Sequence, residues 1–314
     1  MQQFRSRLDA DHQFLARSCQ HSYDHHVLDE LTTLALEVGS KPERRAIVPQ
    51  LRVYVERGPG VAVPVVFDPV LYVVLQGSKQ LLLDDRTVRY DRSQLVIVTV
   101  NLPAVAQVLQ ASPETPYVAA EIHLDRQMLA ELMRDTGVPQ APSTEAVSVH
   151  HAPPEIYDPL RRLLVLTRDP QAARLFASDA MREMTYHVLV SPQGAALRQV
   201  ATFHSPLSQM AQATALMVQN LATPLEVPEI ANRLGISVTT LHRHFRAAVG
   251  TTPLTYYKRL RLHEARRLGV GMTLNVTEAA AAVGYASVAH FSRDYKLTFG
   301  QAPSRDFSLL RDQV

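Results

Sequence analysis

The sequence predicts an α+β chain in two parts: an N-terminal β-barrel or jelly roll with flanking helices, then an all-α region of two helix-turn-helix motifs joined by a long helix. Three observations predict it. Between residues 45 and 124, short segments rich in Val, Leu and Tyr alternate with turn signals. Between Leu225 and Phe307, one helical pattern occurs twice. The charge also changes sign along the chain. Leu207 to Val314 carries 12 Lys and Arg against 7 Asp and Glu, a net of +5, whereas Met1 to Pro206 carries 20 against 23, a net of −3. A basic C-terminal region on a mildly acidic body fits one that meets a polyanion. The 314 residues suffice for two domains, read as 1–200 and 207–314.

With 46% hydrophobic and 20% charged residues, the composition is that of an ordinary globular protein and excludes a disordered chain. The single cysteine, Cys19, excludes an intramolecular disulfide. The opening MQQFRSRLDADHQF has no apolar core of a signal peptide, and apolar runs such as Leu95–Val98 are too short to span a bilayer. The expected compartment is therefore the cytoplasm, with no membrane partner.

Residues 1–22 are polar and aperiodic. Asp24 is placed to cap a helix over His25–Val38, with Val27, Leu28, Leu31, Leu34, Ala35 and Val38 on one side and Gly39 ending it. The nearby Cys19, His21, His25 and His26 are metal-ligand types, but their spacing matches no closed zinc pattern, so no metal is assigned to them.

Eight strands follow: Ile47–Val55, Val61–Phe67, Leu71–Gln76, Gln80–Leu83, Thr87–Tyr90, Leu95–Val100, Val105–Gln110 and Tyr117–Leu124. Their even spacing and Gly/Pro/Asp punctuation fit a double-sheet jelly roll of the cupin shape. Catalytic metal sites of that shape need several His and a carboxylate, and these strands offer only His123 and Glu121. A metal-dependent enzyme is the competing reading; a metal-free, non-enzymatic barrel holding a small molecule is preferred, with no cofactor. Its candidate pocket groups are the polar residues within apolar strands: Tyr54, Tyr72, Gln76, Glu121 and His123. Their alternative placement is at strand edges or the barrel rim.

The helical period then returns. Arg126–Thr136 sits between the cap Asp125 and the stop Gly137. A Pro/Ser-rich connector, Pro139–Pro154, leads to a helix over Glu155–Arg168, and Asp169-Pro170 opens Gln171–Val190. One of these helices is expected to cover the barrel or to serve a homodimer. Gly194–Phe203 reads as the passage between domains, and Leu207–Leu221 as the helix leading into the repeat.

The first motif, 228–249, runs Pro228–Leu234, Gly235, the cap Ser237, then Val238–Val249. The second, 276–299, runs Val276–Val283, Gly284, the cap Ser287, then Val288–Phe299. From the caps onward the copies match at a shift of 50: Ser237, Leu241, Arg243, Phe245, Arg246, Gly250 and Pro253 against Ser287, Phe291, Arg293, Tyr295, Lys296, Gly300 and Pro303. Before the caps the shift is 49, so the second turn is one residue longer. Helix, glycine turn and capped helix form the layout of a DNA reader. The joining helix, Leu254–Leu268, offers Lys258, Arg259, Arg261, Arg266 and Arg267 as a cationic surface. On one face of a duplex the two heads must sit about one helical turn, ~34 Å, apart.

Recognition helices read bases with exposed N-terminal positions. The first head exposes Val238, Thr239, His242, Arg243 and Arg246, and Arg243 can donate twice to guanine O6 and N7. The second exposes Val288, Ala289, Ser292, Arg293 and Lys296; its two apolar side chains make it the weaker base reader. Ser237 and Ser287, at helix N-termini, suit phosphates. The expected partner is double-stranded promoter DNA. A constitutive architectural binder without an effector is the further alternative.

These residues resemble the AraC/XylS family of bacterial transcription regulators. GYASVAHFSRDYKLTFGQAPSRDF is similar to the family signature through Gly284-Tyr285, Phe291-Ser292-Arg293, Phe299-Gly300 and Pro303, and GISVTTLHRHFRAAVGTTPLTYYKRLRLHEARRL resembles its other half. VVLQGSKQLLL, YDRSQLVIVTVNLP and ASPETPYVAAEIHLD resemble the branch that carries its own N-terminal sensor domain. The resemblance, over about residues 40–312, implies a cupin-like effector-sensing domain that dimerises and a DNA-binding domain that activates transcription with RNA polymerase. It places base reading on Thr239, His242, Arg243, Val288, Ala289, Ser292 and Arg293, and within this branch it suggests an aldehyde-type effector. Two departures stand out. Gly269 and Gly271 fall where the family is apolar and helical, so the joining helix is expected to end early or flex there. Glu226 and Val227 stand where a Ser or Thr cap is usual.

Overall fold

The computed structural model describes residues 26–83, 86–143 and 145–311. Cys19, His21, His25 and the cap Asp24 lie outside the described residues; His26 is exposed at the start of the first helix.

That helix, α1 (26–40), buries Leu28, Leu31, Ala35 and Val38. It runs through Gly39 rather than ending there. A Cβ on Gly39 would lie 2.6 Å from Val55 Cγ2, so the glycine serves close helix–strand packing, not termination. After the short α2 (Pro42–Arg45) come β1 (Leu51–Glu56), β2 (Val63–Phe67), β3 (Val70–Gln76), β4 (Ser78–Leu82), β5 (Thr87–Asp91), β6 (Gln94–Val98), β7 (Leu102–Gln110) and β8 (Tyr117–His123). A ninth strand, β9 (Val147–His151), lies inside the stretch read as a connector. Its Val147-Ser148-Val149 alternation is short and flanked by prolines, which hid it.

The strands form a five-stranded sheet in the order β1-β8-β3-β6-β9 and a four-stranded sheet in the order β2-β7-β4-β5. All pairings are antiparallel, giving the double-sheet jelly roll. Alternation divides the faces. On β3, Leu71, Val73 and Leu75 turn outward to the helices, whereas Val70, Tyr72 and Val74 face the interior with Leu81, Tyr90, Val96 and Tyr117.

Helices α3 (Arg126–Thr136), α4 (Tyr157–Leu166), α5 (Pro170–Val190), α6 (Ala195–Ala201) and α7 (Pro206–Gln219) cover the outer face. Asp125 caps α3 by accepting from the Gln127 and Met128 amides, and Asp169 does the same for α5 through Gln171 and Ala172. The segment read as an interdomain passage holds α6, whose Leu197 is fully buried.

The C-terminal region consists of α8 (Val227–Arg233), α9 (Val238–Val249), α10 (Pro253–Gly271), α11 (Val276–Ala282), α12 (Val288–Phe299) and α13 (Pro303–Arg311). Contrary to expectation, α10 continues through Gly269, and it ends at Gly271. The reason is packing: a side chain at 269 would collide with the Phe307 ring, so glycine admits that ring against the helix. One core runs from the sandwich's outer face through α7 to Leu241, Phe245, Tyr256 and Leu260 of the first head. The second head has its own core of Leu262, Ala265, Ala279, Phe291, Tyr295 and Phe307.

The two turn glycines both have positive φ, +66° at Gly235 and +74° at Gly284. Gly235 has open space around it, whereas a Cβ at Gly284 would strike the Ala222 carbonyl and Arg261. Gly235→Ala should therefore cost only the left-handed backbone term, about 1–2 kcal/mol. Gly284→Ala should cost more. Denaturant unfolding of both variants checks this order; equal losses would contradict it.

Candidate nucleic-acid interface and sandwich interior

Each head is shaped by local chemistry. Ser237 Oγ accepts from the Thr240 amide at 3.1 Å and Ser287 Oγ from the His290 amide at 3.3 Å, fixing where α9 and α12 begin. Gly250 and Gly300 end both helices in the left-handed conformation. Leu241 and Phe245 in α9, and Phe291 and Tyr295 in α12, are fully buried. With those faces turned inward, Ser237, Val238, Thr239, Arg243 and Arg246 are exposed on α9 with His242 half-buried beside them. On α12, Ser287, Val288, Ala289, Arg293 and Lys296 are exposed and Ser292 is half-buried. His290, overlooked in the sequence, is also exposed on the second head, with Nε2 3.3 Å from Asp294 Oδ2. It matches Thr240 of the first copy at the same shift of 50 that aligns the caps.

Much of the cationic surface expected of the joining helix is taken up in contacts. Lys258 Nζ lies 2.8 Å from the buried Asp294. Arg261 donates to the Val283 carbonyl and lies against the Tyr257 and Tyr285 rings. Arg266 grips buried Asp306 at 2.7 and 2.9 Å, and Arg267 pairs with Glu264 at 2.7 Å. Lys258, Arg261 and Arg266 bind α10 to its neighbours, whereas Arg267 pairs within the helix and stays exposed. The recognition helices carry the exposed Arg243, Arg246, Arg293 and Lys296.

The first head is tied to the sandwich. The Ala146 amide donates to the Ala248 carbonyl at 3.1 Å, and the Tyr256 hydroxyl donates to the Asn101 carbonyl. A cleft of about 420 Å³ separates the four-stranded sheet from α10 and the end of α12, lined by Leu82, Val105, Lys258, Arg259, His263 and Phe299 among others. Burial, then the charges of Arg266 and Arg259, push the His263 imidazole down to about 3, so it is neutral near pH 7.

Inside the sandwich, Tyr54 and Tyr72 rings lie 5.7 Å apart, Tyr72 and Tyr90 6.0 Å apart, and the Tyr117 hydroxyl donates to that of Tyr72 at 3.1 Å. Glu121, 4% exposed, lies 3.6 Å from Arg52 Nη1 and 3.2 Å from His123 Nε2, the latter outside hydrogen-bonding alignment. Burial and the Glu121 charge push the Tyr54 phenol up to about 12. Four of the five expected pocket residues thus lie together. Gln76 departs: its amide donates to the Pro116 carbonyl at 2.8 Å, which pins a loop. The sequence reading missed Tyr90, Tyr117 and Lys79. Lys79 Nζ lies 5.6–5.7 Å from the ring centres of Tyr54, Tyr72 and Tyr117. Its inward direction was legible from Leu81, two residues on along the same strand face. Among the described residues, no group of three or more His, Cys, Asp or Glu is placed to hold a metal ion.

A β-sandwich joined to paired helix-turn-helix heads defines a DNA-binding regulator class. The family model for the AraC-type transcriptional regulator N-terminus matches residues 47–196, and that for a helix-turn-helix domain matches residues 230–307. The chain belongs to the AraC/XylS family of transcription regulators, with a helix-turn-helix DNA-binding domain. It is 34% identical over 113 residues to the HTH-type transcriptional regulator CdhR of Pseudomonas aeruginosa, covering 36% of this chain and 34% of that one. It is 38% identical over 95 residues to the HTH-type transcriptional activator RhaS of Yersinia pestis, covering 30% and 33%. The chain thus spans about a third of the length of these relatives. A structure of ToxT from Vibrio cholerae superposes with a TM-score of 0.51 at 14% identity, over 83% of this chain and 99% of that one. ToxT bound to an unsaturated fatty acid gives 0.50 at 13%, over 84% and 95%. This likeness is one of fold. No helix among the described residues is long and apolar enough to cross a membrane.

Proposed function

We propose that the chain is a sequence-specific regulator, an activator acting with RNA polymerase on promoter DNA, whose operator affinity is set by a small-molecule effector held inside the N-terminal sandwich. The observation that carries the DNA reading is the pair of cap-aligned helices with buried aromatic faces and exposed Arg243, Arg246, Arg293 and Lys296. The tyrosines, Glu121 and Lys79 inside the sandwich support the effector reading, with sensing assigned to residues 1–200 and DNA binding to 207–314. Exposed Leu175, Phe176, Tyr186 and Val190 on α5 support a homodimer. The cytoplasm is where such a regulator meets its DNA.

Arg243→Ala should remove about 1–3 kcal/mol of discrimination at one base pair while leaving the other positions' preferences intact. Lys296→Ala should weaken all sequences alike and flatten the salt dependence by roughly one phosphate contact. Titration of both variants against the upstream region of neighbouring genes, at several salt concentrations, separates the two behaviours. Unchanged affinity and specificity in both would sink this assignment of the reading faces.

A further inference from the structure

Among the described residues of the C-terminal region, six large apolar side chains are exposed: Val238, Leu254, Met272, Val288, Leu297 and Leu309. Of these, only Val238 and Val288 fall on matched positions of the two heads, at the shift of 50 that aligns the caps. They are 40% and 38% exposed, so both copies present the same side chain to the same degree. Each is the first residue of its recognition helix, directly after the capping serine. Helix stability does not account for valine there. A β-branched side chain is a weaker helix former than alanine, and an acidic one suits a helix N-terminus better. Neither α9 nor α12 has an acidic side chain in its first turn, whereas α8 and α11 carry Glu229 and Glu278 there. First turns without negative charge suit a groove walled by phosphates.

The residue after the valine differs between the heads. Thr239 brings a methyl and a hydroxyl, whereas its match, the exposed Ala289, brings a methyl alone. His290 does not make up the difference. Its Nε2 lies 3.3 Å from Asp294 Oδ2 and its ring stands edge-on to Tyr285 at 5.8 Å, so the imidazole is drawn toward its own head. The leading exposed surface of α12 is therefore made of the Val288 and Ala289 methyl groups. In the major groove the thymine C5-methyl is the apolar feature that a base pair shows. Methyl against methyl excludes water and needs no alignment of donor with acceptor.

We propose that each head reads a thymine C5-methyl with the valine that opens its recognition helix, and that in the second head, where Ala289 joins Val288, methyl contact alone sets the base preference of that first turn; this rests on the DNA reading given above. In the first head Val238 adds a thymine beside the positions read by His242 and Arg243. In the second head Val288 and Ala289 select thymine without a hydrogen bond. The second half-site is weak because methyl burial contributes less than a bidentate pair, yet it is not random.

The test uses the full-length protein and the best duplex it selects from a random pool, resynthesised with deoxyuridine for thymine in one half-site at a time. Deoxyuridine pairs as thymine does but lacks the C5-methyl. The half-site of the second head is the one that Arg243→Ala leaves intact. There the wild type should lose about fourfold in affinity for each methyl in contact, the equivalent of ~0.8 kcal/mol. Val288→Ala should bind the thymine and deoxyuridine duplexes alike, and alanine suits an exposed helical position. The wild-type comparison decides whether methyls are read whether or not the variant folds. Equal wild-type affinity for the two duplexes, or a second half-site selected without thymine, overturns the proposal; if Arg243→Ala still erases the first half-site, the DNA reading stands without it. A deoxyuridine loss of the same size in Val288→Ala takes the effect away from this side chain and also overturns the proposal. Enrichment of no sequence from the pool overturns the DNA reading, and the proposal with it.

Discussion

Replacing Arg266 by alanine should cost about 3–5 kcal/mol, because it strands a carboxylate inside the second head. Asp306 is 3% exposed and is held by Arg266 at 2.7 and 2.9 Å and by the Tyr295 hydroxyl at 2.6 Å. Burial and the adjacent Asp306 both raise the Tyr295 phenol, so that hydroxyl keeps its proton and donates. The three groups come from α10, α12 and α13, so their network is what closes the second head. That head has a core of its own, and its loss should leave the sandwich and the first head folded. Denaturant unfolding followed by two probes, one in each core, should show the second head melting early. The double replacement Arg266→Met with Asp306→Leu removes both charges at once and should recover most of the loss. If the double variant is no more stable than Arg266→Ala, the penalty is packing rather than a stranded charge.

Phe245→Ala should cost a similar amount, about 3–5 kcal/mol, by opening a cavity in a fully buried site. Its consequence should be wider. Phe245 lies edge-on to Tyr256 at 5.4 Å, and Tyr256 is bonded to Asn101 at the rim of the sandwich. Both aromatics belong to the core that continues into the sandwich's outer face. The main unfolding transition should therefore move, carrying the sandwich with it. Phe291→Ala, at the position that matches Leu241 four residues after the cap, should move only the second head's transition. Identical unfolding profiles for the two variants would contradict the division into one shared and one separate core.

The repeat was legible because its determinants are local. A serine cap, a glycine able to take positive φ and a period of 3.6 residues are each settled within a few positions, and the structure sets α8, α9, α11 and α12 within a residue or two of the expected bounds. The eight strands were legible for the same reason. What failed was long-range. The cations of α10 looked like a free surface because Asp294 and Asp306, which bind Lys258 and Arg266, lie some 40 residues further along the chain. Gly39 and Gly269 looked like helix breakers because Val55 and Phe307, which need the space, are distant in sequence. Gln76 was grouped with the pocket from its polarity, and only the position of Pro116 shows where its amide is used. Lys79 was passed over because the expected strand began at Gln80, although the alternation through Leu81 turns it inward.

Two unequal heads should read DNA, with specificity concentrated in Thr239–Arg243. Binding-site selection from a pool of random duplexes tests it most directly. Two half-sites about one helical turn apart should be enriched. One should be strongly specified and the other weakly, with the strong one lost on Arg243→Ala. Equal half-sites, or a strong half-site that survives that replacement unchanged, would contradict it.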